Sequence, residues 1–116
     1  MVSQTFQEAS RRLLKQGLEE LARGDTRQAS EKGWGAAAQM LKSIAERRGW
    51  DHRGHRHIRD VSARLARESG DAEIRRLYRV ASDLHTNFYE DIDPPDEVAA
   101  GLDDVGLLLD KLERLA

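Results

Sequence analysis

Three of the chain's four histidines crowd into one stretch, Trp50-Asp51-His52-Arg53-Gly54-His55-Arg56-His57. Neutral imidazoles at 52, 55 and 57 can ligate zinc, nickel or copper. Their spacing matches no compact zinc motif, and the H-E-x-x-H pattern that sets two ligands one helical turn apart is absent. No metal is expected here. The stretch reads as a loop and helix start whose imidazoles are solvated or meet a partner. The same region is strongly basic: Arg47, Arg48, Arg53, Arg56 and Arg59 surround one helix end and the next helix start. Guanidinium forks suit phosphate, and Trp50 can stack on a base or pack on the core. A solvated charged face is the competing expectation, and surface ion pairs there add little stability.

A second set lies further on. Tyr78, Ser82, His85 and Tyr89 are spaced at helical intervals, so they share one flank of a helix beside its apolar stripe. A row of hydroxyls with an imidazole can bind a small ligand, and His85 can serve as acid or base near neutral pH. It can equally hydrogen-bond to neighbouring helices or a second copy. Asn87 is close in sequence but is expected to point elsewhere. Several chemistries are excluded. With no Cys there is no disulfide, thiolate metal site or Cys nucleophile. G-x-x-x-x-G-K-[ST], G-x-G-x-x-G and G-x-S-x-G are all absent.

Five helical segments must position these groups. The first spans about Ser3 to Arg23, on Phe6, Leu13, Gly17 and Leu21, with Gly24 as a stop. The second spans about Thr26 to Arg48, with Asp25 as N-cap and Gln28 completing a capping box. Its apolar face is Trp34, Ala37, Leu41, Ile44 and Ala45. Gly33, Gly35 and the Ala36–Ala38 run predict close approach of another helix or of a ligand, because two helical Gly each cost about 1 kcal/mol. The third, about His55 to Glu68, rests on Ile58, Val61 and Leu65. The fourth starts from Asp71 as N-cap and runs to about Tyr89 on Ile74, Leu77, Ala81, Leu84 and Phe88. The fifth has Asp93 as N-cap, Pro94 at N1, and a stripe of Val98, Leu102, Val105, Leu109 and Leu112. No alternating strand pattern is present. The expected fold is a single all-α domain over residues 1–116, an up-and-down antiparallel bundle of four to five helices.

Composition agrees with that class: 39% hydrophobic, 34% charged, 5% aromatic, two Pro. Charge is uneven. Residues 47–67 hold seven Arg and two acids, and residues 90–116 hold nine acids against Lys111 and Arg114, which sets up a polar field. The first residues lack the apolar core of a signal peptide, and no run reaches the ~20 apolar residues of a membrane span. A cytoplasmic protein without a membrane segment is expected.

Two stretches carry a family resemblance: Glu31-Lys32-Gly33-Trp34-Gly35-Ala36-Ala37-Ala38, continuing through Leu41, Lys42, Ala45, Gly49-Trp50, His52 and His55, and Leu84-His85-Thr86-Asn87-Phe88-Tyr89-Glu90. Together they resemble the PaREP-type archaeal helical proteins, small relatives of the HEPN domain. The resemblance covers roughly Ser30 to the C-terminus. It implies a four- or five-helix bundle, often a homodimer, that binds a nucleotide or RNA and is often coupled to a partner nucleotidyltransferase. Many HEPN proteins are RNases or toxins of toxin–antitoxin pairs. The RNase branch carries Arg, four to six residues, then His. Arg79 and His85 satisfy that spacing, but Tyr89 follows His85 by four residues rather than two, and in a regular helix Arg79 and His85 lie about 120° apart.

The leading expectation is a HEPN-like module that binds a nucleotide or nucleic acid without catalysis of its own. Its expected ligand-facing residues are Lys32, Trp34, Arg48, His52, His55, Tyr78, Asn87 and Tyr89, with no cofactor. One alternative is a metal-independent RNase using Arg79 for phosphate charge and His85 for the proton. The other is an antitoxin-like interaction scaffold.

Overall fold

Helix ends in this chain are written by a few residues each. The computed structural model describes residues 2–116, with side chains from Phe6 onward. Its helices are α1 (Val2–Ala22), α2 (Thr26–Arg48), α3 (His55–Ser69), α4 (Glu73–Glu90) and α5 (Pro95–Leu115), and no strand occurs among the described residues. At the end of α1, Gly24 takes a left-handed φ of 87°. Gly24 N–H then donates to Leu21 O, and Asp25 N–H to Glu20 O, the paired bonds of a Schellman stop. Gly49 repeats this at the end of α2, with φ 71° and Trp50 N–H donating to Ala45 O at 2.9 Å.

Two N-caps and one capping box differ from the sequence reading. Asp25 does cap α2, accepting Gln28 N–H at 3.0 Å. However, its own N–H is already spent on Glu20 O, so Gln28 has no donor to receive in return. Helix α4 begins at Glu73 rather than Asp71. Asp71 still accepts Glu73 N–H at 3.1 Å, and its carboxylate also takes Lys111 Nζ at 2.7 Å. Pro94, not Asp93, precedes the first turn of α5, because Pro95 takes the N1 place.

Helix α2 is the centre of the bundle. It packs against all four other helices, and its buried residues, Ala29, Ser30, Gly33, Ala36 and Met40 among them, cover more than half of its circumference. So wide a buried face leaves only a narrow polar strip, with Gln28, Lys42 and Glu46 on it, and favours small residues such as Ala and Gly on the rest. Small residues also let neighbours come close. Ser10 of α1 donates to Ala36 O at 2.6 Å. A Cβ at Gly17 would sit 3.3 Å from Ala29 O and from Lys32 Cβ. A Cβ at Gly33 would lie 2.7 Å from Leu102 Cδ2 and 2.9 Å from Leu84 Cδ1. The predicted close approach at Gly33 is therefore that of leucines from α4 and α5.

The turns at residues 23–25, 70–72 and 91–94 reverse the chain, as short links between helices do. The link at residues 49–54 does not. Trp34 meets His55 and Arg48 meets Glu68, so α3 runs in the same direction as α2. The fold is thus the expected all-α bundle of five helices, with α2 and α3 parallel at this one connection. Residues 50–54 carry the chain back along α2 before α3 starts.

Candidate functional site

That returning link delivers His55 to Trp34. The Trp34 and His55 ring centroids are 4.6 Å apart. Trp34 also stacks on His85 of α4 at 5.2 Å and 29°. The two imidazoles meet edge to face at 5.4 Å, so the three rings close a triangle. Tyr78 adds its edge to Trp34 at 6.0 Å, and Tyr89 adds its edge to His85 at 5.4 Å. The outer rim is open, with Tyr89 69% exposed, while Trp34 is 9% exposed. Of the 78–82–85–89 row read from sequence, Tyr78 and His85 face Trp34 of the central helix, Tyr89 reaches the cluster through His85, and Ser82 lines the groove between α3 and α4.

Glu31, one turn before Trp34, completes the cluster. His85 Nδ1–H donates to Glu31 Oε1 at 2.8 Å. The carboxylate fixes the tautomer and ring plane, leaving Nε2 for another partner. His55 has no such acid. Burial chiefly, then His85 and Arg59, push its pKa below the ordinary imidazole value. A base with a lowered folded pKa is stabilising while neutral. That contribution is complete above the unfolded value of about 6.5 and declines as pH falls below it. The thermal midpoint of the wild type is therefore expected to drop more between pH 7.5 and pH 5.5 than that of His55→Gln. Equal drops would show that His55 is not the titrating group.

Tyr78 belongs to a second feature as well. It lines a groove of roughly 500 Å³ between α3 and α4, with Arg59, Asp60, Ser62, Ala63, Arg67, Arg75, Arg79, Ser82 and Asp83. Arg79 is in this groove, whereas His85, six residues on, stacks on Trp34. Tyr78 is 5% exposed and its hydroxyl is buried with no partner. Burial pushes its pKa up to about 12, so it is a neutral O–H donor across the working pH range.

Other sequence-selected residues go elsewhere. Lys32 projects on the α1 side, its Cβ against Gly17, because two residues from Trp34 is 200° around a helix. Arg48 is at the far end of α2, paired with Glu68 at 3.3 Å and donating to Leu115 O at 2.8 Å. Arg48 and Arg64 flank the Trp50 ring at 5.2 and 4.0 Å, so Trp50 is committed to them and to the core edge. His52 bonds Glu46 at 3.0 Å and touches Phe6. His57 approaches Asp51 at 3.4 Å. The three clustered histidines therefore diverge to three partners, and no group of three His, Asp or Glu converges as a metal ligand set among the described residues. Asn87 is buried, donating to Ser30 Oγ and accepting from Ile92 and Asp93 N–H. Its polar atoms are spent on structure. Glu31, Arg67 and Arg75 were not selected from sequence as site residues. Arg75 and Arg79 are four apart, next to Tyr78 and Ser82, and that paired register was the available signal.

Residues 5–109 match the profile of the archaeal PaREP1/PaREP8 family. The chain belongs to the archaeal PaREP1/PaREP8 family. The match spans α1 to most of α5, so the Trp34 cluster and the arginine groove both lie within the family's shared region. The PaREP fold is also that of a Sulfolobus solfataricus protein of known crystal structure. It is 23% identical, with a TM-score of 0.81 over 91% of this chain and 94% of that one. At that identity the likeness speaks for the fold alone. No curated protein matches the chain. No helix is long and apolar enough to cross a membrane among the described residues.

Proposed function

We propose that this PaREP-family protein is a binding module for a nucleotide or a short single-stranded RNA, held across the α2–α3–α4 face without catalysis of its own. One observation carries the reading: Tyr78 touches Trp34 in the ring cluster and also lines the arginine groove. A platform of rings beside a row of guanidinium groups is what a base and its phosphates require. Tyr89 and His85 offer stacking surface, and Arg67, Arg75 and Arg79 offer charge. A HEPN relationship, implied jointly by the stretch from Glu31 to His55 and by Leu84–Glu90, fits the same use.

A short single-stranded RNA is expected to bind in calorimetry and to quench Trp34 fluorescence. With about three phosphates neutralised, affinity should fall about 20-fold between 50 and 200 mM salt. Absence of binding by RNA, ATP or AMP at low salt removes the proposal.

The Glu31–His85 pair favours a second reading, metal-independent RNA cleavage. A carboxylate-held imidazole with a free Nε2 can move a proton, while Arg79 stabilises phosphate charge. Under this reading, wild type cleaves RNA in EDTA, and His85→Ala and Arg79→Ala do not. RNA left intact by the wild type disposes of it.

A further inference from the structure

The α3–α4 groove holds more positive charge than it can balance. Its walls carry Arg59, Arg67, Arg75 and Arg79 against Asp60 and Asp83, a formal excess of +2. Arg59 reaches Asp60 only at 3.5 Å, with both side chains more than 60% exposed. Arg67, Arg75 and Arg79 form no ion pair or side-chain hydrogen bond among the described residues. Elsewhere Arg11 pairs with Asp110 and Glu113, Arg53 with Asp51, and Arg76 with Glu73, while Arg12, Arg47, Arg56 and Arg114 form no ion pair among the described residues but are not gathered in one groove. Three unpaired guanidinium groups gathered in one concavity repel one another, and an anion relieves that.

The groove also contains a donor with nothing to donate to. Buried hydroxyls are nearly always hydrogen-bonded, yet Tyr78 Oη has no partner. Arg59 and Asp60 are the charged groups whose fields reach it. Arg59, exposed and weakly held, can turn toward an incoming anion beside the phenol. Ser82 stands one turn further along the same wall.

We propose that this groove binds a phosphate monoester dianion, with Arg67, Arg75 and Arg79 supplying charge and Tyr78 Oη donating a hydrogen bond. The assignment deepens the nucleotide reading and, for the source of the phosphate, rests on it. Charge decides between ester classes. A groove excess of +2 is matched by a monoester, which carries close to −2 once its second proton leaves near pH 6. A backbone diester carries only −1. The phosphate can come from a mononucleotide, from the terminus of an RNA, or from free phosphate.

Calorimetry on the full chain separates these sources, using inorganic phosphate, AMP against adenosine, and one RNA oligonucleotide with and without a 5′-phosphate. The phosphorylated form is expected to bind at least tenfold more tightly in each pair. AMP binding should strengthen about tenfold from pH 5 to pH 7, and inorganic phosphate, whose second proton leaves about one pH unit higher, by more than that, while sulfate, fully ionised throughout, should not follow. Arg75→Gln combined with Arg79→Gln should weaken phosphate at least 100-fold with the helical circular dichroism spectrum and thermal midpoint retained, since both side chains are exposed.

Tyr78→Phe provides a further readout. It removes an orphan hydroxyl, so the ligand-free protein should melt a few degrees higher, while phosphate binding weakens several-fold. A purely structural tyrosine would leave binding unchanged, and that result removes Tyr78 from the site. Equal binding of the two oligonucleotides and of AMP and adenosine overturns the monoester site and leaves the nucleotide module standing. Binding of inorganic phosphate with no nucleotide or RNA binding overturns the nucleotide reading and leaves the groove as a free-phosphate site.

Discussion

Leu84→Ala is expected to lower stability by about 3–4 kcal/mol, measured by guanidinium unfolding. The side chain is 3% exposed and lies where α2, α4 and α5 meet. A Cβ at Gly33 would come within 2.9 Å of its Cδ1, and one at Gly101 within 2.9 Å of its Cδ2. The leucine thus occupies the space left by two glycines on opposite helices. Truncation leaves a cavity that two rigid helix backbones cannot close, which puts the loss toward the upper half of the usual range. Gly101→Ala tests the same contact from the other side. An exposed helical Gly→Ala gains up to about 1 kcal/mol, but here overpacking costs about 1–3 kcal/mol. The net expectation is a loss of about 1 kcal/mol. Combining Leu84→Ala with Gly101→Ala lets the new methyl enter the cavity. The double variant should therefore be about 1 kcal/mol more stable than the sum of the single losses predicts. Strict additivity would mean that the leucine does not fill the gap between the glycines.

The second large effect falls on Asn87, whose replacement by Ala is expected to cost about 2–3 kcal/mol. Its side chain is 1% exposed and makes three hydrogen bonds: to Ser30 Oγ at 2.8 Å, and from Ile92 and Asp93 N–H at 2.9 and 2.8 Å. Those two amides follow the end of α4, where Asp91 holds a left-handed φ of 53°. A non-glycine residue in that region is unfavourable by itself, so the Asn87 carbonyl oxygen holds the turn that launches α5. Loss of the side chain should also speed limited proteolysis between residues 90 and 95. If Asn87→Ala unfolds at the wild-type guanidinium concentration, its amide is not the tie between α2, α4 and the α4–α5 turn.

Local signals made much of the bundle readable before any coordinates. Gly24 and Gly49 marked helix ends because only a residue without Cβ takes positive φ at no cost, and both take it. The Leu and Val stripes of α4 and α5 marked buried faces because a period of 3.6 leaves only one face toward the core. The same arithmetic put Tyr78, Ser82, His85 and Tyr89 on one flank, which is how they stand. Long-range placement was another matter. That Trp34 is the surface receiving His55, His85 and Tyr78 depends on the direction of α3, and thus on the path of six linker residues whose types allow either a tight reversal or an extended return. Lys32 was grouped with Trp34 by sequence proximity, although the helix turns them to opposite sides. Arg75 and Arg79 share one face of α4 already, but Arg67 joins them only when α3 and α4 pack together. Residue type and spacing decide what a helix buries, because burial is settled over a few turns of one element. Which side chains gather at a site is decided between elements, where packing of the whole core chooses among arrangements that local chemistry leaves nearly equal.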